Sequence, residues 1–279
     1  RIEQDRFVCC VPFRLLENDK WKSITTISYI FGSTEYRFYA CCGLYRIENL
    51  DISINVMGDK ARVAMEKAKC NYLEPYVWFE ESMWDVIVEE QQLNIDFATA
   101  ISEKQFEVYY QPICRAIDGR TMGAEALVRW NHPKKGILSP CRFIPQFERN
   151  GFISTLDRYV WNEVCTILGE RLEKGLKTVP VAINVSKSEL YDAHSFEDLY
   201  KIALKNHVPP DYLRVEITES TYSVDPVQLQ SAINKLHSLG FKVLMDDFGS
   251  GYSSLGMLKN FPVDVLKVDM MFMSDFETN

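Results

Sequence analysis

The amino-acid sequence predicts an α/β protein, an incomplete (β/α) barrel preceded by the rear part of a smaller α+β domain. Three observations carry this reading. From residue 106 onward, strand-like runs and helical patterns alternate at intervals of about 20–35 residues, the rhythm of βα units around a parallel sheet. Near the C-terminal end of successive runs sits an acid, an amide or a lysine, and parallel barrel strands bring those ends to one rim. Ahead of residue 80 the texture changes to strand-like runs followed by one helical stretch.

In chain order, the first region has apolar runs at 7–11, 24–30 and 36–47, then a helical pattern at 54–69. Residues 81–105 place Met83, Ile87, Leu93, Phe97 and Ile101 at roughly helical spacing with no Gly or Pro, which predicts a helix joining two domains. Barrel strands are expected at 106–112, 122–130, 179–186, 212–219, 242–248 and 263–272. Helices are expected at 154–173, 195–206, 226–239 and 253–260. The division is therefore 1–80, 81–105 and 106–279. A complete barrel takes eight strands and typically about 250 residues, so this one is expected to fall short by about two βα units.

The chain has 279 residues, 47% of them hydrophobic and 25% charged, enough to bury a real core. Its net charge of −8 argues against a broad basic face for duplex nucleic acid. No apolar run approaches the roughly 18 residues of a membrane span, and the charged start RIEQDRF is no signal peptide. A cytoplasmic location is expected, with any membrane attachment of the parent lying in segments outside this chain. The 8 cysteines form no CxxC pair and read as reduced thiols; the 4 histidines are scattered and read as structural.

Glu125, Asn184, Glu216 and Asp246 offer hard oxygen donors from different strands, which suits Mg²⁺ or Mn²⁺. Asp247 could reach a second ion while Asp246 bridges the two, and Lys267 could bind phosphate or orient an attacking water. Two-metal phosphodiester hydrolysis is the chemistry expected of such a set. Paired carboxylates on a barrel rim also suit a glycosidase, which leaves Asn184, the Asp-Asp doublet and Lys267 without a joint role. The Asp247-Phe248-Gly249 string resembles a kinase motif only as a lone tripeptide, with no glycine-rich phosphate loop upstream. DFGSGYSS (247–254) reads instead as a mobile loop punctuated by Gly249 and Gly251.

The ordered strings YYQPI (109–113), GAEALVRW (123–130), NVS (184–186), EITES (216–220), DDFGSGYSSL (246–255) and LKVD (266–269) together resemble the EAL domain family. That resemblance implies a TIM-like barrel that hydrolyses cyclic di-GMP, a bacterial second messenger, to linear pGpG with Mg²⁺ or Mn²⁺. Carried over, it makes Glu125, Asn184, Glu216 and Asp246 metal ligands and gives Asp247 to a second metal. It sets Lys267 beside the attacking water and has Glu219 anchor the mobile loop. Gln111, Leu127 and Arg129 would contact the nucleotide, with Arg129 facing phosphate. A homodimer through this domain is likewise implied. The family's later strands supply a further glutamate and a glutamine that this chain lacks, so the piece alone is expected to be inactive and its parent competent. The alternative within the family is a receptor that binds cyclic di-GMP without turnover.

Residues 1–80 resemble the C-terminal half of a GGDEF (diguanylate cyclase-like) domain through RIEQDRFVCCVP (1–12), YACCGLY (39–45) and DKARVAMEKAK (59–69). Glu3 and Gln4 replace two turn glycines, and Arg6 replaces a carboxylate. Loss of cyclase activity and a regulatory role are expected for this part.

Overall fold

The computed structural model describes residues 26–31, 34–39, 42–47, 51–68, 76–192, 194–218, 226–249 and 262–269, the first two as backbone only. The segment 1–12, Glu219 and residues 250–261, which include the helix expected at 253–260, lie outside the described residues. The chain divides into two compact units, residues 1–89 and 90–279.

In the first unit, β1 (Thr26–Phe31) and β2 (Thr34–Tyr39) pair antiparallel. Strand β3 (Cys42–Leu44) pairs parallel with β4 (Tyr76–Trp78), and the crossover between them carries α1 (Ile54–Ala68). Small residues let this helix lie tight on the strand. Ala64 and Ala68 are fully buried, and a Cβ at Gly43 would stand 1.8 Å from the Ala61 carbonyl oxygen. Lys60 lies over the rings of Tyr45 and Phe79 at 5.2 and 5.1 Å and pairs with Glu81. A cation on two ring faces is attracted by both quadrupoles.

Helix α2 (Glu81–Ser102) falls on the stretch where a helix was expected, and the division between the units falls within it. Met83 is buried on its first turn, and Leu93, Phe97 and Ala100 are buried further along. The helix stops without glycine: Lys104 takes φ 54, and Gln105 N–H donates back to Ala100 O at 2.9 Å.

The second unit continues with β5 (Phe106–Cys114), β6 (Thr121–His132), β7 (Gly136–Leu138), α3 (Ile144–Asn150), α4 (Ile153–Glu173) and β8 (Val181–Asn184). Then come α5 (Lys187–Tyr191), α6 (Ser195–Lys205), β9 (Leu213–Thr218), α7 (Pro226–Ser238), β10 (Lys242–Phe248) and β11 (Val265–Val268). The sheet order is β11-β10-β9-β8-β6-β5, with β7 folded back on β6. Strands β6, β8, β9, β10 and β11 run parallel, as βα units require.

One expectation is corrected. The 106–112 run was expected to point the same way as the others, but β5 is antiparallel to β6. A connection only six residues long, 115–120, cannot make a parallel crossover. Gly119 turns there at φ 67, and Arg115 holds Asp118 in an ion pair.

Alternation within the strands divides the sheet into two faces. On the helix side Phe97, Phe106, Trp130, Phe143, Phe147 and Phe152 form one aromatic cluster, with Phe97 stacked on Phe152 at 4.8 Å. The Trp130 indole N–H donates to Gln105 Oε1 at 3.0 Å, so its burial leaves no unpaired donor. His132 is also buried: Nδ1 accepts the Lys134 N–H, which leaves Nε2–H to donate to Asp96 at 3.1 Å. The opposite face of the sheet carries the polar residues.

Candidate metal centre

Strand β9 reads LRVEIT, and Leu213, Val215 and Ile217 bury against the helix side. Glu216 therefore points the other way, yet it too is only 1% exposed. An isolated carboxylate at such a place would cost several kcal/mol, so it must find a counter-charge or protonate. Register supplies the surroundings. Asn184 pairs with Glu216 across β8 and β9, and Asp246 pairs with Thr218 across β10 and β9. Glu125 pairs with Ala182 on the neighbouring strand.

The result is a convergence of Glu125, Glu216 and Asp246, whose nearest oxygens lie within 4.8 Å of one another. Lys267 from β11 sends its ammonium among them. Its Nζ is 2.9 Å from Glu125 Oε2, 3.0 Å from Glu216 Oε1 and 3.0 Å from Asp246 Oδ2. Burial works against the Lys267 charge, but hydrogen bonds to the three acids outweigh it and hold its pKa above the ordinary lysine value. Burial, with Glu125 and Asp246 nearby, pushes Glu216 up to about 7 despite Lys267.

Asp247 follows Asp246 at an irregularity of the strand. Between Met245 and Phe248 the register of β10 against β11 slips, and Asp247 sits in the bulge at φ 57. Aspartate tolerates this left-handed conformation, and a bulge re-aims side chains. The Asp247 N–H donates to Asp246 Oδ1 at 2.9 Å. Burial and the charges of Asp246 and Asp269 raise the Asp247 carboxyl pKa.

The fit to a divalent cation can be judged from the donors. The set is three carboxylates plus a carboxamide in register, all oxygen, which suits a hard ion of the Mg²⁺ or Mn²⁺ kind. Glu216 Oε2 is buried and accepts no hydrogen bond, the condition of an oxygen shaped for a cation. The residues present fit such an ion.

Of the other expected site residues, Gln111, Leu127 and Arg129 lie on the strand face that carries Glu125, and Glu219 is outside the described residues. Gln111 on β5 stands directly opposite Glu125, and Leu127 and Arg129 follow Glu125 along β6 at steps of two. The Arg129 guanidinium donates to the Val128 carbonyl at 2.8 Å. Two residues near the centre went unassigned in the sequence reading. Asp269 was quoted within LKVD, and its place two residues beyond Lys267 was the available signal. Asp157, on α4, reaches the NVS segment and carried no signal in the sequence.

The EAL domain family model matches residues 95–279. The bifunctional diguanylate cyclase/cyclic di-GMP phosphodiesterase MucR of Pseudomonas aeruginosa is 34% identical over 215 residues, covering 77% of this chain and 31% of MucR. The cyclic di-GMP phosphodiesterase PdeR of Escherichia coli is 33% identical over 215 residues, 77% of this chain and 32% of PdeR. This chain thus spans about a third of the length of those relatives. Among solved structures, the PaMucR phosphodiesterase in complex with c-di-GMP superposes with a TM-score of 0.63 at 32% identity, over 67% of this chain and 76% of that one. Among the described residues no helix is long and apolar enough to cross a membrane.

Proposed function

This chain belongs to the EAL domain family, and on that premise we propose that its second unit is the metal-dependent phosphodiesterase part of a protein that cleaves cyclic di-GMP to linear pGpG. The observation that carries the proposal is the convergence of Glu125, Glu216 and Asp246 around one point, with a buried Glu216 oxygen left without a hydrogen-bond donor. Glu125, Asn184, Glu216 and Asp246 would hold one Mg²⁺ or Mn²⁺, and Asp247 with Asp246 a second. Bound there, the ions supply Lewis acidity toward the phosphodiester and lower the pKa of water.

The chain's own residues do the rest. Lys267 carries a fixed positive charge at the centre and holds the carboxylates in place until substrate phosphate competes for it. Gln111, Leu127 and Arg129, on the face that carries Glu125, would seat the nucleotide, with Arg129 turned to phosphate and Glu219 anchoring the following loop. A glycosidase sets two carboxyl groups roughly 5 Å or more apart across a sugar ring, whereas here three crowd within 4.8 Å around one ammonium. Residues 1–80 are proposed as a regulatory segment without cyclase activity, because Glu3, Gln4 and Arg6 replace the turn glycines and carboxylate.

Replacement of Glu125 by Ala is the test. Loss of a ligand is expected to weaken Mn²⁺ binding by at least the roughly 10–100-fold that losing an outer-shell support costs, and to abolish turnover in the protein that carries this domain. Wild-type Mn²⁺ affinity in that variant would remove the assignment. Tight binding of intact cyclic di-GMP with no product would instead make the protein a receptor.

A further inference from the structure

Asn184 supplies the only non-acidic donor of the proposed cation site, and its backbone is tied down on both sides. The Asn184 carbonyl accepts the Trp161 indole N–H at 3.4 Å. The Val185 N–H donates to the Glu216 carbonyl at 3.1 Å. The Ser186 N–H donates to Asp157 Oδ2 at 3.0 Å, and the Ser186 hydroxyl hydrogen-bonds the Ser188 hydroxyl at 2.9 Å. Asp157 and Trp161 lie four residues apart on α4 and so share one face of that helix. Asp157 is 9% exposed and Trp161 fully buried. Burial pushes the Asp157 carboxyl up to about 7 even with the bond from Ser186, so this group is held at a cost to stability.

We propose that Asp157 and Trp161 are positioning residues, which clamp residues 184–186 from α4 and thereby set the Asn184 carboxamide for cation coordination. The inference rests on the metal-site reading above. A donor displaced by about 1 Å no longer completes a coordination shell, so a rigid support behind it is part of the site. Without the clamp the segment keeps its pairing to β9 and the turn in which the Ser186 carbonyl accepts the Glu189 and Leu190 N–H groups, but it loses both contacts from α4.

The test is Mn²⁺ titration by calorimetry on the 279-residue chain, with folding of each variant checked by circular dichroism. Asn184→Ala is expected to weaken binding about 10–100-fold, and Asp157→Leu about 10-fold. Asp157→Asn, whose amide oxygen still accepts the Ser186 N–H, should recover most of that loss. Trp161→Phe, which keeps a smaller aromatic ring and removes the donor, should weaken binding a few-fold. In an Asn184→Ala background neither Asp157→Leu nor Trp161→Phe should weaken binding further, because both act through Asn184.

The same loss repeated in that background would make the two residues merely structural and overturn the proposal. If Asp157→Leu does not fold, Trp161→Phe alone and in the double variant decides the matter in the same way. Undiminished binding in Asn184→Ala would refute the metal-site reading itself. Loss there, with wild-type binding in both Asp157→Leu and Trp161→Phe, would refute only the positioning.

Discussion

Replacing Lys267 by Met should unmake the electrostatic balance at the centre of the sheet. Its ammonium lies 2.9–3.0 Å from three carboxylates, of which the Glu216 side chain is 0% exposed and those of Glu125 and Asp246 are 18% and 21% exposed. At an effective dielectric of about 20, one such pair is worth roughly 5 kcal/mol before the desolvation of both partners is subtracted. Three pairs do not add, because the acids repel one another and can each take up a proton once the lysine is gone. Removing one partner of a buried ion pair costs about 3–5 kcal/mol, and the 27% exposure of Lys267 places this case near ~3–4 kcal/mol. For a domain of this size that is a fall in Tm of roughly 6–16 °C. The assay is thermal unfolding by circular dichroism at pH 7.5 in EDTA. Excess Mn²⁺ should recover most of the deficit, since a divalent ion can neutralise the same three acids, and lowering the pH to 5 should shrink it. A Lys267→Met chain that melts within about 2 °C of wild type in EDTA would refute the balance described here.

Two further outcomes follow from the same geometry. Asp157 has a folded pKa of about 7 against the ordinary aspartate value of 3.8, because it is buried, with Glu189 and Glu148 adding to the rise against the bond from Ser186. Its contribution to stability is therefore full below about pH 4 and lost as pH rises through 7. Chemical denaturation from pH 4 to 8 should show a steeper loss in wild type than in Asp157→Asn, and equal slopes would contradict the buried carboxyl. Asp247→Asn keeps a residue that tolerates φ 57 but removes the charge, so Mn²⁺ stoichiometry by calorimetry should fall from two to one. A stoichiometry of two in that variant would assign the second ion elsewhere.

Much of this was legible in the residues, for stated reasons. The parallel strands were readable because Val215, Ile217, Val243 and Met245 keep one parity and leave Glu216 and Asp246 on the other. The antiparallel β5–β6 pair was missed, although Asp118-Gly119 between two apolar runs is a hairpin signal. The bulge at Asp247 left no trace beyond an acidic doublet, because register slips come from pairing with β11 and not from local composition. Lys267 was expected at the site, but its contact with three acids joins residues 142, 51 and 21 positions apart in the chain, a matter of tertiary packing. Nothing in the residues around Asp157 set it apart from any other helical acid until α4 was packed against the NVS segment.

The most direct measurement is turnover of cyclic di-GMP by the protein that carries these residues, in Mn²⁺ with and without EDTA, with the product resolved by chromatography. Linear pGpG that forms in Mn²⁺ and vanishes with EDTA is the predicted result. Intact cyclic di-GMP in both samples, with Mn²⁺ bound at the Glu125–Glu216–Asp246 centre, would contradict a phosphodiesterase.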